Sequence, residues 1–298
     1  MKAVLVVNPF ASRVSETKLA EVRAELERTV DDLTVVLTER PGHATEIVTS
    51  ACAGGCDAVI VYSGDGGFNE ALNGLADDVP IAFLPGGGTS VLSRALGLPA
   101  DPVEAAKELA QALREKRTRR MTVGRVNGRR FSFAAGVGLD AEAVRRVDDM
   151  GRTDEGKRPG DFAYAFAVVR SIAAHHGHME PAMEVKGFGR AAFALVANGS
   201  PYTYARRLPL PIAPKAQFGL GLDLVAPVRI RRRTLLPTAL SILTGHAVQR
   251  RDTLYGHDLD RLEIVCDRPT ALHVDGEDLG DVEEAVFEAE RGAVTVVV

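Results

Sequence analysis

Apolar and polar positions alternate along the first third of the chain in two different periods. Lys2–Val7 is a short, β-branched apolar run, and Leu19, Val22, Leu26 and Val30 then recur at helical spacing behind Ser15, a candidate N-cap. The pattern repeats three times. It predicts strands over Leu33–Thr38, Asp57–Ser63 and Pro80–Leu84, and helices over Ala44–Ala53, Phe68–Leu75 and a short stretch after Thr89. Four strands joined by helices imply a doubly wound parallel sheet with right-handed crossovers. Asp101-Pro102-Val103-Glu104 supplies an N-cap, Pro at the first helical position and Glu at the third, so a helix is expected to run to about Arg114.

The grammar changes after the polar stretch Glu115–Arg120, which divides the chain into an α/β domain (1–120) and a second domain (121–298). Met121–Val126 and Arg129–Ala135 flank Asn127-Gly128, the favoured two-residue turn of a β-hairpin. Further strands are expected over Ala191–Ala197, Leu222–Pro227, Leu262–Asp267, Thr270–Val274, Val282–Glu288 and Ala293–Val298, with helices near Phe162–Ala174 and Leu235–Leu243. The second half therefore reads as mainly antiparallel β. Whether Ala293–Val298 returns to pair with the first domain is left open by the pattern.

Composition narrows the classes. The 298 residues are 46% hydrophobic and 26% charged, with 36 basic against 40 acidic side chains and a net charge of −4, so collagen-like and disordered chains are excluded. No domain-wide basic excess is available to neutralise phosphates, which argues against nucleic-acid binding. No apolar run approaches the ~18 residues of a membrane span, and Met1–Val7 runs into a strand without a basic leader. A cytoplasmic protein is expected. Cys52, Cys56 and Cys266 are too few for a disulfide framework and are expected to be reduced.

The 29 glycines exceed the ~21 of average usage, and ten of them lie between Gly54 and Gly97. The strand Asp57–Ser63 ends in Ser63-Gly64-Asp65-Gly66-Gly67, and the strand over Pro80–Leu84 ends in Pro85-Gly86-Gly87-Gly88-Thr89. Glycines at a strand-to-helix turn let backbone N–H groups converge on an anion at the positive end of a helix. Two such loops after successive strands would line one crevice at the carboxyl edge of the sheet. Either alone reads equally well as a tight turn; together, with an acid inside the first, they favour a triphosphate. Neither fits the Rossmann fingerprint, and Gly151–Lys157 matches the P-loop only up to Lys157, because Arg158 follows where Ser or Thr belongs.

Ser63-Gly64-Asp65-Gly66-Gly67-Phe68-Asn69-Glu70-Ala71-Leu72-Asn73-Gly74 resembles the Gly-Gly-Asp-Gly-Thr-x-Asn-Glu-x-x-Asn-Gly block of the diacylglycerol kinase catalytic family, which includes bacterial soluble lipid kinases and sphingosine kinases. The likeness extends to Asn8-Pro9, Thr38, Pro85–Arg94, Gly136–Ala141, Asn198 and Asp275-Gly276-Glu277. The resemblance implies a nucleotide-binding α/β domain of the NAD kinase/phosphofructokinase type, a β-sandwich second domain, and transfer of the ATP γ-phosphate to a lipid hydroxyl with Mg2+ accompanying the nucleotide. By position it implies nucleotide contacts from Asn8, Thr38, Ser63, Gly64, Asp65, Gly66, Gly67, Asn69, Glu70, Gly87, Gly88 and Thr89, and a proton acceptor at Glu277. Asp65 or Asp275 could also serve the metal or the base. Without the upstream motifs, Asp275-Gly276 reads as an Asp-Gly hairpin turn. Diacylglycerol is the first substrate expected; a sphingosine-like lipid alcohol, NAD, or a regulatory role with weak catalysis are the alternatives.

The chain departs from the family block at Gly67, where relatives carry Thr, and at Gly87-Gly88-Thr89-Ser90 in place of Gly-Thr-x-Asn. The family's Asp-Gly-Leu-Leu-Asp-Val stretch, whose first Asp helps hold a structural magnesium, reads Leu220-Gly221-Leu222-Asp223-Leu224, so one carboxylate of that site is missing. Arg229, Arg231, Arg232 and Arg233, with Arg206-Arg207 upstream, form a cluster suited to transient contact with an anionic membrane; a solvated face with acidic partners accounts for it equally well. His175-His176-Gly177-His178 reads as a polar loop, and Phe162–Ile172 as core or as an acyl-chain wall. A homodimer is also compatible with the sequence.

Overall fold

The computed structural model describes residues 1–149, 170–171, 177–205 and 208–298. The expected helix near Phe162–Ala174 lies outside the described residues except for Arg170 and Ser171, as do Gly151–Lys157, His175-His176 and Arg206-Arg207. The chain divides into two compact units, 1–122 with 292–298, and 123–291.

The first unit follows the predicted alternation. Strands β1 (Lys2–Val7), β2 (Asp32–Leu37), β3 (Ala58–Ser63) and β4 (Ile81–Pro85) alternate with helices α1 (Glu16–Glu27), α2 (His43–Ala53), α3 (Asp65–Gly74), α4 (Val91–Ala95) and α5 (Pro102–Glu115). The strands lie parallel in the order β2-β1-β3-β4. Every residue of β3 is buried while β2, at the edge, is half-exposed, as expected of a parallel sheet covered on both faces. Ser15 caps α1 by accepting from Lys18 N, and Asp101 caps α5 by accepting from Val103 N and Glu104 N. Val22 and Leu26 of α1 share one core with Leu5, Ile60, Leu84, Ala105 and Leu109.

In the second unit β5 (Thr118–Val126), whose first residues belong to the first unit, forms the expected hairpin with β6 (Arg129–Phe131). Asn127 (φ 47°) and Gly128 (φ 90°) both take the left-handed conformation of a type I′ turn. There follow β7 (Ala134–Val137), α6 (Leu139–Asp149), β8 (Met183–Val185), β9 (Gly189–Ala191), β10 (Ala194–Ala197), β11 (Thr203–Ala205), β12 (Leu208–Leu210), β13 (Leu222–Pro227), α7 (Leu235–Leu243), β14 (Thr253–Leu259), β15 (Arg261–Val274) and β16 (Glu277–Val297). Pairing is antiparallel in the order β14-β13-β10-β7-β15-β16.

The sequence divided β15 into Leu262–Asp267 and Thr270–Val274, and it is one strand with a register shift between Val265 and Thr270. Before the shift it pairs with β8 and after it with β7, so the irregularity lets one strand serve both layers of a sandwich. β16 likewise merges two expected strands. Its last residues belong to the first unit, where Val296 pairs in parallel with Ile81. The strand expected over Arg129–Ala135 is broken at Ser132-Phe133, for a reason that lies in the site.

Candidate active site

The parallel strands of the first unit bring their carboxyl ends to one edge, where Asn8, Thr38, Ser63 and Pro85 each terminate or follow a strand. Asn8 Oδ1 accepts from Phe10 N at 3.0 Å, and Thr38 N donates to Val7 O at 2.8 Å. The two glycine loops pack backbone against backbone. Gly86 N donates to Ser63 O at 2.7 Å, a Cβ on Gly86 would lie 3.0 Å from that oxygen, and a Cβ on Gly87 would lie 2.8 Å from Gly64 Cα. Gly64, Gly86 and Gly87 are thus required by the contact between the loops.

Gly66 and Gly88 are different. A Cβ on Gly66 meets nothing within 4 Å, one on Gly88 meets only Ser12 Oγ at 3.8 Å, and neither residue is left-handed. Gly88 is exposed and Thr89 half-buried beside it. Among the described residues, nothing demands glycine at either position. α3 begins at Asp65, three residues earlier than its apolar periodicity suggests, with Gly64 as N-cap and Phe68 N donating to Gly64 O at 3.1 Å. Gly66 and Gly67 therefore lie in the first turn, whose N–H groups have no carbonyl within the helix to bind. The positive end of α3 thus lies at the open glycine positions, the local geometry expected of an anion cradle.

Arg13, which sequence reasoning missed, braces this cradle. Its guanidinium donates to Gly88 O (3.1 Å) and Ala100 O (2.9 Å), its backbone N donates to Gly86 O, and its carbonyl accepts from Tyr62 OH at 2.9 Å. Burial pushes the Tyr62 phenol up to about 12, so it remains a donor at neutral pH. No local pattern marks Arg13, because its partners Tyr62, Gly86, Gly88 and Ala100 all lie far from it in sequence, the nearest 49 residues away.

Several predicted nucleotide ligands have other work. The Asp65 carboxylate accepts from Val91 N (2.9 Å) and Leu92 N (3.1 Å), tying α4 and the second loop to the first. Asn69 is fully buried and accepts from Asn73 Nδ2 through both its carbonyl (2.9 Å) and Oδ1 (3.2 Å). Glu70 Oε2 accepts from Ala44 N at 3.2 Å, supplying the cap that Gly42, at the N-cap of α2, lacks. Thr45 Oγ1 donates to Glu70 O, and a Cβ on Gly74 would overlap the Thr45 carbonyl. The Asn-Glu-x-x-Asn-Gly segment is therefore the joint between α2 and α3, and Asn69 and Glu70, expected as nucleotide ligands, both hold that joint. Ser63 is 2% exposed and its hydroxyl is buried without a hydrogen-bond partner, directly beneath Gly67.

In the second unit Asp275 (φ 48°) and Gly276 (φ 78°) form a two-residue turn between β15 and β16. Asp275 is 4% exposed. Its Oδ2 accepts from Ser132 N (2.7 Å) and Ser132 Oγ (2.8 Å), and its Oδ1 from Phe133 N (3.0 Å) and Ala134 N (3.1 Å). These four donors match the four acceptor positions of a carboxylate, so Asp275, considered for catalysis from the sequence, has a structural task at this turn. It also explains the break at Ser132-Phe133, where N–H groups turn from the ladder to the carboxylate. Glu277, two residues on, is half-exposed and pairs with Arg129 Nη2 at 2.9 Å.

A cavity of about 130 Å³ opens in the same unit, lined by apolar residues including Leu139, Phe193, Leu195, Ile230 and Leu235. Asp140 is the carboxylate in its wall. Asp140 Oδ2 lies 2.6 Å from both Tyr202 OH and His273 Nε2, and Gly136 admits this cluster, since a Cβ there would lie 2.7 Å from His273 Nε2. The Gly136–Ala141 segment read from the sequence is thereby given a physical role.

The residues do not fit the structural magnesium that the family implies. Asp223 is fully buried, with Oδ1 on His257 Nδ1 (2.8 Å) and Asp258 N (3.2 Å) and Oδ2 accepting from Tyr255 OH (3.0 Å). Beside it stands a guanidinium: Arg291 reaches Asp258 Oδ1 (2.8 Å), Asp260 Oδ1 (2.5 Å) and Asp258 O (3.2 Å), and a Cβ on Gly221 would lie 2.8 Å from its Nη2. Asp258 Oδ1 also accepts from Gly221 N at 2.7 Å, and this bond together with Arg291 holds its carboxyl below the usual range. Among the described residues, no group of three or more His, Cys, Asp or Glu side chains could hold a metal ion. The cysteines are free thiols, and burial raises Cys56 and Cys266.

Arg229 lies 3.8 Å from Glu180, whose other oxygen is 2.9 Å from His178 Nε2, so part of the basic cluster has the acidic partner that the plain surface reading expected. Arg231, Arg232 and Arg233 are exposed.

Comparison with known proteins places this geometry. Residues 2–126 match the model of the diacylglycerol kinase catalytic domain, and residues 134–298 that of the YegS C-terminal NAD kinase beta sandwich-like domain. A diacylglycerol kinase of Bacillus subtilis is 32% identical over 157 residues, 51% of this chain and 50% of that protein. Sphingosine kinase 1 of Rattus norvegicus is 33% identical over 105 residues, 32% of this chain and 27% of that protein. In three curated relatives the matched stretch spans 63%, 57% and 50% of the relative's length. A crystal structure of a diacylglycerol kinase from Bacillus anthracis shares the fold with a TM-score of 0.73 at 23% identity, covering 99% of this chain and 96% of that one. With both halves matched in order, and with the α/β sheet and β-sandwich those models describe, the chain belongs to the diacylglycerol kinase family.

Proposed function

We propose that this protein transfers the γ-phosphate of ATP to the hydroxyl of a lipid, with diacylglycerol as the substrate and phosphatidic acid as the product. The observation that carries the reading is the pair of open glycines, Gly66 and Gly88, at the positive end of α3. A phosphate chain needs close approach to backbone N–H groups, and these are the two positions in the glycine loops where a Cβ would meet no close neighbour among the described residues. The apolar cavity of the second unit supports a substrate with hydrocarbon chains.

Phosphoryl transfer asks for positioning and charge neutralisation more than for covalent chemistry. In this reading the first-turn N–H groups of α3 and the backbone around Gly88 orient the phosphates, and Arg13 keeps the second loop in place. The lipid hydroxyl oxygen bonds to the γ-phosphorus as the bond from that phosphorus to the bridging oxygen breaks, and ADP leaves. Glu277 takes the hydroxyl proton, since Asp275 has no acceptor position left. Mg2+ arriving on the nucleotide would neutralise charge on the phosphate oxygens, with Asp65 the loop carboxylate to hold it.

Asp140 favours one second reading. A carboxylate in the wall of an apolar cavity would pair with the amine of a sphingosine-like substrate, and the similarity to sphingosine kinase 1 of the rat points the same way.

The test is transfer of label from γ-labelled ATP in mixed micelles holding diacylglycerol, monoacylglycerol or sphingosine, with NAD as a soluble acceptor. Labelled phosphatidic acid is expected. Labelled sphingosine phosphate alone would select the second reading, and labelling of NAD alone, or ATP binding without any product, would overturn both.

A further inference from the structure

Helix α7, Leu-Leu-Pro-Thr-Ala-Leu-Ser-Ile-Leu, is apolar on two faces. Leu235, Ala239 and Ile242 follow one another at i, i+4 and i+7 and line the apolar cavity. Leu236, Leu240 and Leu243 repeat that spacing one position later and are 78%, 60% and 41% exposed, Leu243 also reaching the cavity. Leu208 in β12 is 65% exposed as well. A helix that is apolar all round belongs inside a core or a membrane, yet one side of this helix faces water.

Charge says what covers it. Arg231, Arg232 and Arg233 precede the helix directly, are exposed, and line a recess with His178. Neither Arg231 nor Arg233 has an ion-pair partner among the described residues. Three adjacent cations beside an exposed leucine stripe, on a chain whose net charge is −4, match an anionic lipid surface: apolar side chains enter the acyl boundary while guanidinium groups pair with headgroup phosphates.

We propose that α7, together with Arg231, Arg232 and Arg233, is a membrane-docking surface for anionic bilayers. The helix that lies in the lipid is then also the wall of the cavity, so a single helix separates the bilayer from the space assigned to the lipid substrate. That last link rests on the lipid-kinase reading; the docking itself is measured without turnover.

The experiment is flotation of the purified full chain with vesicles of phosphatidylcholine alone and of equal parts phosphatidylcholine and phosphatidylglycerol. The wild type is expected to float with the anionic vesicles and to be released by salt. Leu236→Gln with Leu240→Gln should lower partitioning roughly tenfold or more. Arg231→Gln with Arg233→Gln should weaken the preference for anionic vesicles by about thirtyfold at low salt. Both pairs should keep the wild-type melting temperature, because the replaced side chains are exposed. A wild type that stays in solution with both vesicles, or a leucine pair that floats as well as the wild type, overturns the proposal. So does a wild-type dimer in sedimentation that the leucine pair converts to monomer, which would assign the face to a second copy. Docking that persists in a protein without kinase activity would sink only the function proposed above.

Discussion

The hydroxyl of Ser63 occupies the volume that a side chain on residue 67 would need: a Cβ built on Gly67 would overlap Ser63 Oγ. The loop therefore carries its hydroxyl on the strand end instead of the helix turn, and the loss of Thr at 67 and the presence of Ser at 63 are one structural exchange. Gly67→Thr alone should destabilise the protein by roughly 1–3 kcal/mol through overpacking, and Ser63→Gly in the same chain should recover most of it. Equilibrium unfolding of the two single variants and the double variant measures the coupling; additive costs would contradict it.

Gly66 and Gly88 should separate stability from function. Gly66→Ala, in a helical turn with open space around the Cβ, should stabilise the protein by roughly 0.4–1 kcal/mol while raising the KM for ATP tenfold or more. Gly88→Ala should raise the KM similarly with an unchanged melting temperature. Unaltered ATP kinetics in both variants would remove the cradle from the mechanism.

Glu70→Ala should behave in the opposite way. Its carboxylate caps α2, and losing the cap costs about 1 kcal/mol, whereas kcat and the KM for ATP should stay near wild type below the melting transition. A fall in kcat without a fall in stability would return Glu70 to the nucleotide site.

Asp275 and Glu277 should also part. Asp275→Asn turns an amide N–H toward donors that need an acceptor, costing roughly 2 kcal/mol or more. Glu277→Gln should leave unfolding almost unchanged, because its ion pair with Arg129 is half-exposed, and should lower kcat by ~10²–10⁴-fold. The pH dependence of kcat in the wild type and in Glu277→Gln checks the assignment.

Arg291 makes the loop of Gly221 independent of metal. The melting temperature should be the same with Mg2+ and with EDTA, and Arg291→Ala should lower it at pH 7. Gly221 N and, after it, Arg291 hold the folded pKa of Asp258 below its unfolded value of ~3.9, so this stabilisation is complete above that value and is lost as pH falls through the folded pKa. Wild type and Arg291→Ala should therefore converge in acid. Melting curves between pH 7 and pH 2 decide it, and a gap that widens in acid would contradict the ion pair.

Periodicity and caps alone determined the α/β half of this protein. Val22 and Leu26 repeat at helical spacing, Ser15 and Asp101 sit where caps belong, and a turn as local as Asn127-Gly128 needs no distant partner. The same local pattern identified the glycine loops and, through the Ser63–Gly74 block, the family. Tertiary structure decided which of those glycines and carboxylates face a ligand. Gly64 and Gly87 touch across residues more than 20 apart in sequence, Glu70 caps a helix that precedes it, and Asp275 folds a break some 140 residues upstream. A motif records that a residue type is required, but the requirement is set by whatever atom lies opposite, and the chain path supplies that atom. For that reason Asp275 and Glu277, two residues apart and both acidic, could be told apart only when the donors around one of them were counted.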